Sequence, residues 1–205
     1  MDEKQFILNQ TAHFIKDIYT NQLPEGMYFH NYAHTQLVVE AVRLISENEN
    51  CSTDEKFSLH LSAMLHDIGY TEKYIGHEEL GAKMAADFLI KLKIDEGVIA
   101  EIQRCIMATT YPQDPKSAIE RIICDADFYH FSLKEYLNYA SLLKKEWEQK
   151  LNMFFSNQEW DSLNLKLLLE HEYFTEYGKT ILQKRKMINI EKLMLRLGQE
   201  FLGLG

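Results

Sequence analysis

The sequence predicts an all-α helical bundle, and three observations carry that expectation. Glycine and proline are scarce, nine and three in 205 residues, which leaves little turn chemistry for a many-stranded sheet. Apolar side chains recur three and four residues apart through most of the chain, the period of an amphipathic helix. Residues that cap helix starts, Asn31 and Ser52 or Thr53 among them, stand directly ahead of such runs.

Phe6, Ile7, Phe14, Ile15 and Ile18 place a first helix over about residues 2–20, ended by Leu23-Pro24-Glu25-Gly26. A second runs from about Tyr32 to Glu47 behind the Asn31 cap. Its stripe of Leu37, Val38, Ala41, Leu44 and Ile45 takes His34 with it, so His34 points inward. A third becomes apolar on nearly all sides between Leu59 and Leu65, which marks a central element. It stops at His66-Asp67, where Gly69 is expected to permit a sharp, left-handed exit. Helices are further expected over about 77–91, 95–109, 133–150, 159–170 and 175–198. Pro115, following Asp114, is expected to open the helix that ends at Cys124-Asp125-Ala126-Asp127. The tail Phe201-Leu202-Gly203-Leu204-Gly205 is expected to fray.

This length suits a single helical domain spanning 1–205. A net charge of −9 argues against duplex nucleic acid, yet leaves room for a small phosphorylated substrate held by a few local cations. Cys51, Cys105 and Cys124 are odd in number and lack CxxC spacing, so they read as neutral thiols in a reducing compartment. The acidic start Met1-Asp2-Glu3-Lys4 is unlike a signal peptide, and no stretch approaches ~18 uninterrupted apolar residues. A cytoplasmic protein without a membrane partner is the expectation.

Chemistry concentrates at helix ends. An imidazole and a carboxylate adjoin at His66-Asp67, at the bottom of a core where an unpaired charge is costly. His34 and Asp127 face inward from other helices. Two imidazoles and two carboxylates make a mixed nitrogen and oxygen set suited to Mn, Fe, Co, Ni or Zn. Taken singly, either His could equally be a hydrogen-bonded core residue, and Asp127 a helix cap.

Phe29-His30-Asn31-Tyr32-Ala33-His34, then His66-Asp67, then Ala126-Asp127, together resemble the signature of the HD superfamily of metal-dependent phosphohydrolases. The resemblance covers about 27–131. It implies an HD-domain core over about 25–131, with the N-terminal helix and additional C-terminal helices packed on it. It also implies one divalent metal (a transition metal, or Mg) held by His34, His66, Asp67 and Asp127. His30 is similar to the proton-donating His of HD-type phosphodiesterases. In HD proteins with two metals, a His placed like His77 binds the second ion. No His stands near Ala108-Thr109-Thr110, where the next would be expected, so one tightly held metal is expected, with His77 contacting phosphate or a weak second ion. Segments from Ile122 through Glu146-Trp147-Glu148 to His171-Glu172 also resemble a bacterial branch linked to nucleotide signalling. The expected activity is hydrolysis of a nucleotide or related small phosphoester. His30, Asp67 and His77 are its catalytic candidates, with Lys73 and Lys83 as phosphate contacts. A nucleotide-sensing or partner-binding module with little turnover is the alternative, and a homodimer is allowed.

Overall fold

The computed structural model describes residues 2–198, and every regular element among them is helical. Nine α-helices follow in order: α1 Glu3–Gln22, α2 Tyr32–Asn48, α3 Thr53–Leu65, α4 His77–Lys91, α5 Glu96–Ala108, α6 Ala118–Asp127, α7 Tyr136–Lys150, α8 Asn157–Glu170 and α9 Gln183–Arg196. Short 3-10 turns continue α3 (Ile68–Thr71) and α6 (Phe128–Ser132), and a π turn, Gly178–Leu182, leads into α9. The expected all-α class is thus observed. The tail expected to fray lies outside the described residues. Among those residues no helix is long and apolar enough to cross a membrane.

Helix α3 is central because its two apolar edges serve different cores. Leu61 and Leu65, one turn apart, join Ile15, Ile18, Ala85, Leu89 and Ile102 of α1, α4 and α5. Leu59 and Ala63 join Val38, Val42, Ile45, Ile122 and Ile123 of α2 and α6. All four α3 side chains are fully buried, so truncating any of the three leucines to alanine costs about 2–5 kcal/mol. A third cluster, around Phe131, Tyr136, Leu168 and Ile190, binds α7, α8 and α9. The Asn189 amide secures α9, donating to the carbonyls of Phe131 at 2.9 Å and Leu133 at 2.7 Å.

Three local details set the geometry of the site. Asn31 caps α2 as expected, accepting from the amides of Ala33 and His34, which fixes His34 in the first inward-facing turn. Gly69 is not needed for a left-handed exit, since the positive-φ glycines among the described residues are Gly26, Gly76 and Gly198. Its need is steric: a Cβ there would stand 2.0 Å from the His77 carbonyl oxygen and 2.9 Å from the Gly81 nitrogen. The start of α4 is therefore pressed against the turn that follows Asp67. Helix α6, finally, opens at Ser117 and not at Pro115. The Ser117 hydroxyl accepts from the Glu120 amide at 3.3 Å, the hydrogen bond that a proline cannot offer.

Candidate metal centre

Helices α2, α3 and α6 pack against one another, and each delivers its metal-type side chain at the shared end. His34 comes from the first turn of α2, His66 and Asp67 from the end of α3, and Asp127 closes α6. His34 Nε2 lies 3.2 Å from Asp127 Oδ1 and 3.5 Å from Asp67 Oδ2. His66 Nε2 lies 3.1 Å from the same Asp67 oxygen and 3.7 Å from Asp127 Oδ1. One donor atom each from His34, His66 and Asp127 falls within a 4.8 Å group.

The hydrogen bonding of this cluster is that of a cation site. His66 Nδ1 donates to the Ala63 carbonyl at 2.9 Å, which turns Nε2 toward the Asp67 carboxylate. At 3.1 Å the two groups meet without hydrogen-bond geometry. Accordingly His66 Nε2 and Asp67 Oδ2 are buried with no hydrogen-bond partner, as is His34 Nδ1. Each orphan of this kind costs about 1–3 kcal/mol. A divalent cation among the four donors would satisfy Nε2 and Oδ2 together, so these residues fit a metal.

Electrostatics agree. Burial alone would lower the pKa of His66, but the charge of Asp67, with that of Asp127 behind it, brings it up to about 9. Burial alone would raise Asp67, yet the His66 ring and its neighbours hold it well below the usual carboxylate range. Asp127 is lowered in the same way by His34 and His66. The two carboxylates make a field that favours positive charge between them.

A second layer surrounds this cluster. His77, at the start of α4, donates from Nδ1 to the Tyr74 carbonyl at 3.2 Å and brings Nε2 within 3.4 Å of Asp67 Oδ1. The Tyr70 ring lies between two imidazoles, stacked on His77 at 3.7 Å and on His30 at 4.3 Å between centroids. His30 in turn is gripped by Glu146 of α7. One carboxylate oxygen takes the His30 Nδ1 proton and the Tyr74 hydroxyl at 2.9 Å. The other accepts from the amides of Phe29 at 2.7 Å and His30 at 3.0 Å. Burial would lower the pKa of His30, but the Glu146 hydrogen bond and charge leave it raised. Sequence reasoning missed this role of Glu146. The sequence placed Glu146 in a stretch resembling a bacterial branch but assigned it no role, and its complete burial is what singles it out.

These residues open onto a cavity of about 520 Å³. Asp67, Asp127, His30 and His77 line one end, and α7 and α8 line the other. His130 lies between them. Its Nδ1 donates to the Asp127 carbonyl at 3.1 Å, and burial pushes its pKa down to about 3, so the ring stays neutral. The structure does not bring Lys73 or Lys83 to this cavity. Lys73 is exposed on the turn before α4 and Lys83 on its outer face, as suits strongly hydrated ammonium groups. The lysine on the lining is Lys166 of α8. The cysteines lie elsewhere as free thiols, and burial raises the pKa of each.

Helices meeting at a buried pair of imidazoles and a pair of carboxylates define an HD-type architecture. Residues 31–132 match the family model of the HD domain, and the chain belongs to that family. Solved structures similar to it include a predicted HD superfamily hydrolase from an uncultured Thermotogales bacterium, with TM-score 0.60 and 17% identity over 93% of this chain and 91% of that one. The Lin1889 protein of Listeria innocua is similar over 100% of both chains, with TM-score 0.67 and 19% identity. Bacillus subtilis YpgQ, solved in complex with ADP, is similar over 95% of this chain and 97% of that one, with TM-score 0.68 and 16% identity. At these identities the likeness is one of fold. No curated protein matches the sequence.

Proposed function

We propose that this protein is a metal-dependent phosphohydrolase, acting on a nucleotide or related small phosphoester. The observation that carries the reading is the facing of two buried, unpartnered ligand-type atoms, His66 Nε2 and Asp67 Oδ2, beside a ligand-sized cavity. His34, His66, Asp67 and Asp127 would hold one divalent metal, of the Mn, Fe, Co, Ni or Zn kind, or Mg. Such an ion, when bound, neutralises phosphate charge and brings the pKa of water toward neutrality.

The protein's own groups divide the remaining work. Asp67, with Oδ1 turned toward His77, orients the attacking water on the side away from the metal-facing oxygen. His30, whose Nδ1 is committed to Glu146, has Nε2 left for the cavity it lines. Its raised pKa, held up by the Glu146 hydrogen bond and charge against burial, favours the protonated form that can give a proton to the departing oxygen. His77, at the N-terminus of α4, contributes a donor and helix amides for a phosphate oxygen. The complex of the similar YpgQ fold with ADP is consistent with a nucleotide as ligand.

Elemental analysis of the purified protein, followed by a phosphoester panel that includes cyclic and linear nucleotides, tests this. Bound metal and phosphate release, both lost in His66→Ala and Asp67→Ala, are expected. A protein that takes up no metal and leaves every ester intact with Mn, Co or Ni added would sink the reading.

A further inference from the structure

The far wall of the cavity carries an inference about what the substrate looks like away from its phosphate. Leu143 of α7, Leu151 just past its end, and Leu163 and Leu167 of α8 face the cavity together with the rings of Phe128 and Trp147. Several polar groups also touch this wall; the inner ones are already engaged, while Tyr111 and Glu170 stand exposed at its edge. The Asn164 amide donates to the Trp160 carbonyl at 2.8 Å and accepts from the Tyr136 hydroxyl at 2.6 Å. The indole of Trp160 donates to the Ala140 carbonyl at 3.1 Å, and that of Trp147 lies beside the Tyr74 hydroxyl. Thr109 donates to the Ile106 carbonyl at 2.8 Å. Lys166 stands at the rim, 3.8 Å from the Glu170 carboxylate on its own helix.

A site that recognises a nucleobase by its edge needs free donors and acceptors aimed at it, and such sites reject wrong partners strongly because unmet buried polar groups are costly. A wall of apolar side chains and satisfied polar groups discriminates by fit and buried area alone. We propose that the α7–α8 wall seats the organic group of the phosphoester by apolar contact, without reading a base edge. The ligands it takes are therefore phosphates of large flat or apolar groups, nucleosides among them irrespective of base. This rests on the hydrolase reading for the placement of the phosphate, but not for the seat itself.

Calorimetric titration of the full, Mn²⁺-loaded chain tests the seat. The ligands are the adenosine, guanosine, cytidine and uridine 5′-monophosphates, 1-naphthyl phosphate and glycerol phosphate. The nucleotides and naphthyl phosphate are expected to bind within about tenfold of one another, and glycerol phosphate about tenfold or more weaker, since it buries almost no apolar surface. Leu163→Asp, checked for fold by circular dichroism, should weaken naphthyl phosphate by about tenfold and leave glycerol phosphate unchanged. A spread among bases beyond about tenfold overturns the proposal. So do glycerol phosphate binding on a par with naphthyl phosphate, an unaffected Leu163→Asp, and failure of all these ligands to bind. Phosphate release from the same ligands is scored separately. Binding in the expected pattern without cleavage would leave the seat standing and remove the hydrolase reading.

Discussion

Glu146 is fully buried on α7 and holds the ring of His30, a residue 116 positions earlier in the chain. The same carboxylate takes the amide protons of Phe29 and His30, so it fixes both the loop and the imidazole that the loop presents. A buried carboxylate meeting four donors is stabilised only while all of them are in place.

The pair makes stability depend on pH in a defined window. His30 has its folded pKa raised from an ordinary 6.5, so its contribution is complete below that value and fades as pH rises through the folded pKa. Glu146 has its folded pKa lowered from an ordinary 4.5, so its contribution is complete above that value and fades as pH falls through the folded pKa. Thermal melts of Glu146→Gln should therefore fall furthest below the parent between about pH 4.5 and 6.5. A melting difference that is flat from pH 5 to 9 would contradict the pairing.

Turnover and metal content should separate at His30. Replacing it by Ala removes the proposed proton donor without touching the four metal-type residues. Loss of about 10²–10⁴ in kcat is expected, with metal per chain unchanged on elemental analysis. Glu146→Ala should lose as much, whereas Glu146→Asp, a shorter carboxylate, should recover part of the rate. Equal loss in metal and rate would make His30 a structural support of the metal cluster.

Metal affinity should weaken in acid. With His66 brought up to about 9, the ion must displace a proton at lower pH, and the dissociation constant for Mn²⁺ should rise about tenfold per unit of pH lost. Titrations at pH 6, 7 and 8 measure the slope directly. The companion expectation is thermal: saturating Mn²⁺ should raise the melting temperature of the parent and leave Asp127→Asn unmoved. A constant affinity across that range would show that no such proton is displaced.

Gly69→Ala should be costly despite the small change. Its Cβ would meet backbone atoms of His77 and Gly81, which cannot swing aside as a side chain can. About 2–3 kcal/mol of stability is expected to go, read by urea denaturation. His77 should be displaced from Asp67 and from the Tyr70 ring as α4 moves off. A variant as stable as the parent would mean that α4 yields freely at its start.

The legible part of this protein was what local pattern controls. The apolar runs located the helices to within a few residues, and the all-round apolar stretch Leu59–Leu65 did mark the helix shared by two cores. His34 and His66 declared themselves by lying on or ending such runs. Errors arose where a second element decides the outcome. Gly69 is explained by α4 pressing on it, and Ser117 displaced Pro115 as the start of α6 because the Glu120 amide needed an acceptor. Lys73 and Lys83 were near the motifs in sequence, but the turn before α4 leaves the first in solvent and the outer face of α4 the second. Glu146 was illegible for the opposite reason, a charged residue in a charged stretch whose partners all lie in distant segments.

The four metal-type residues precede residue 128, while Glu146 and the apolar wall come after it. A chain emerging from the ribosome thus exposes the complete donor set some time before it can complete His30 or enclose a ligand. If the site works as proposed, loading of the ion and competence for turnover would be separated along the direction of synthesis, with the last helices completing the site.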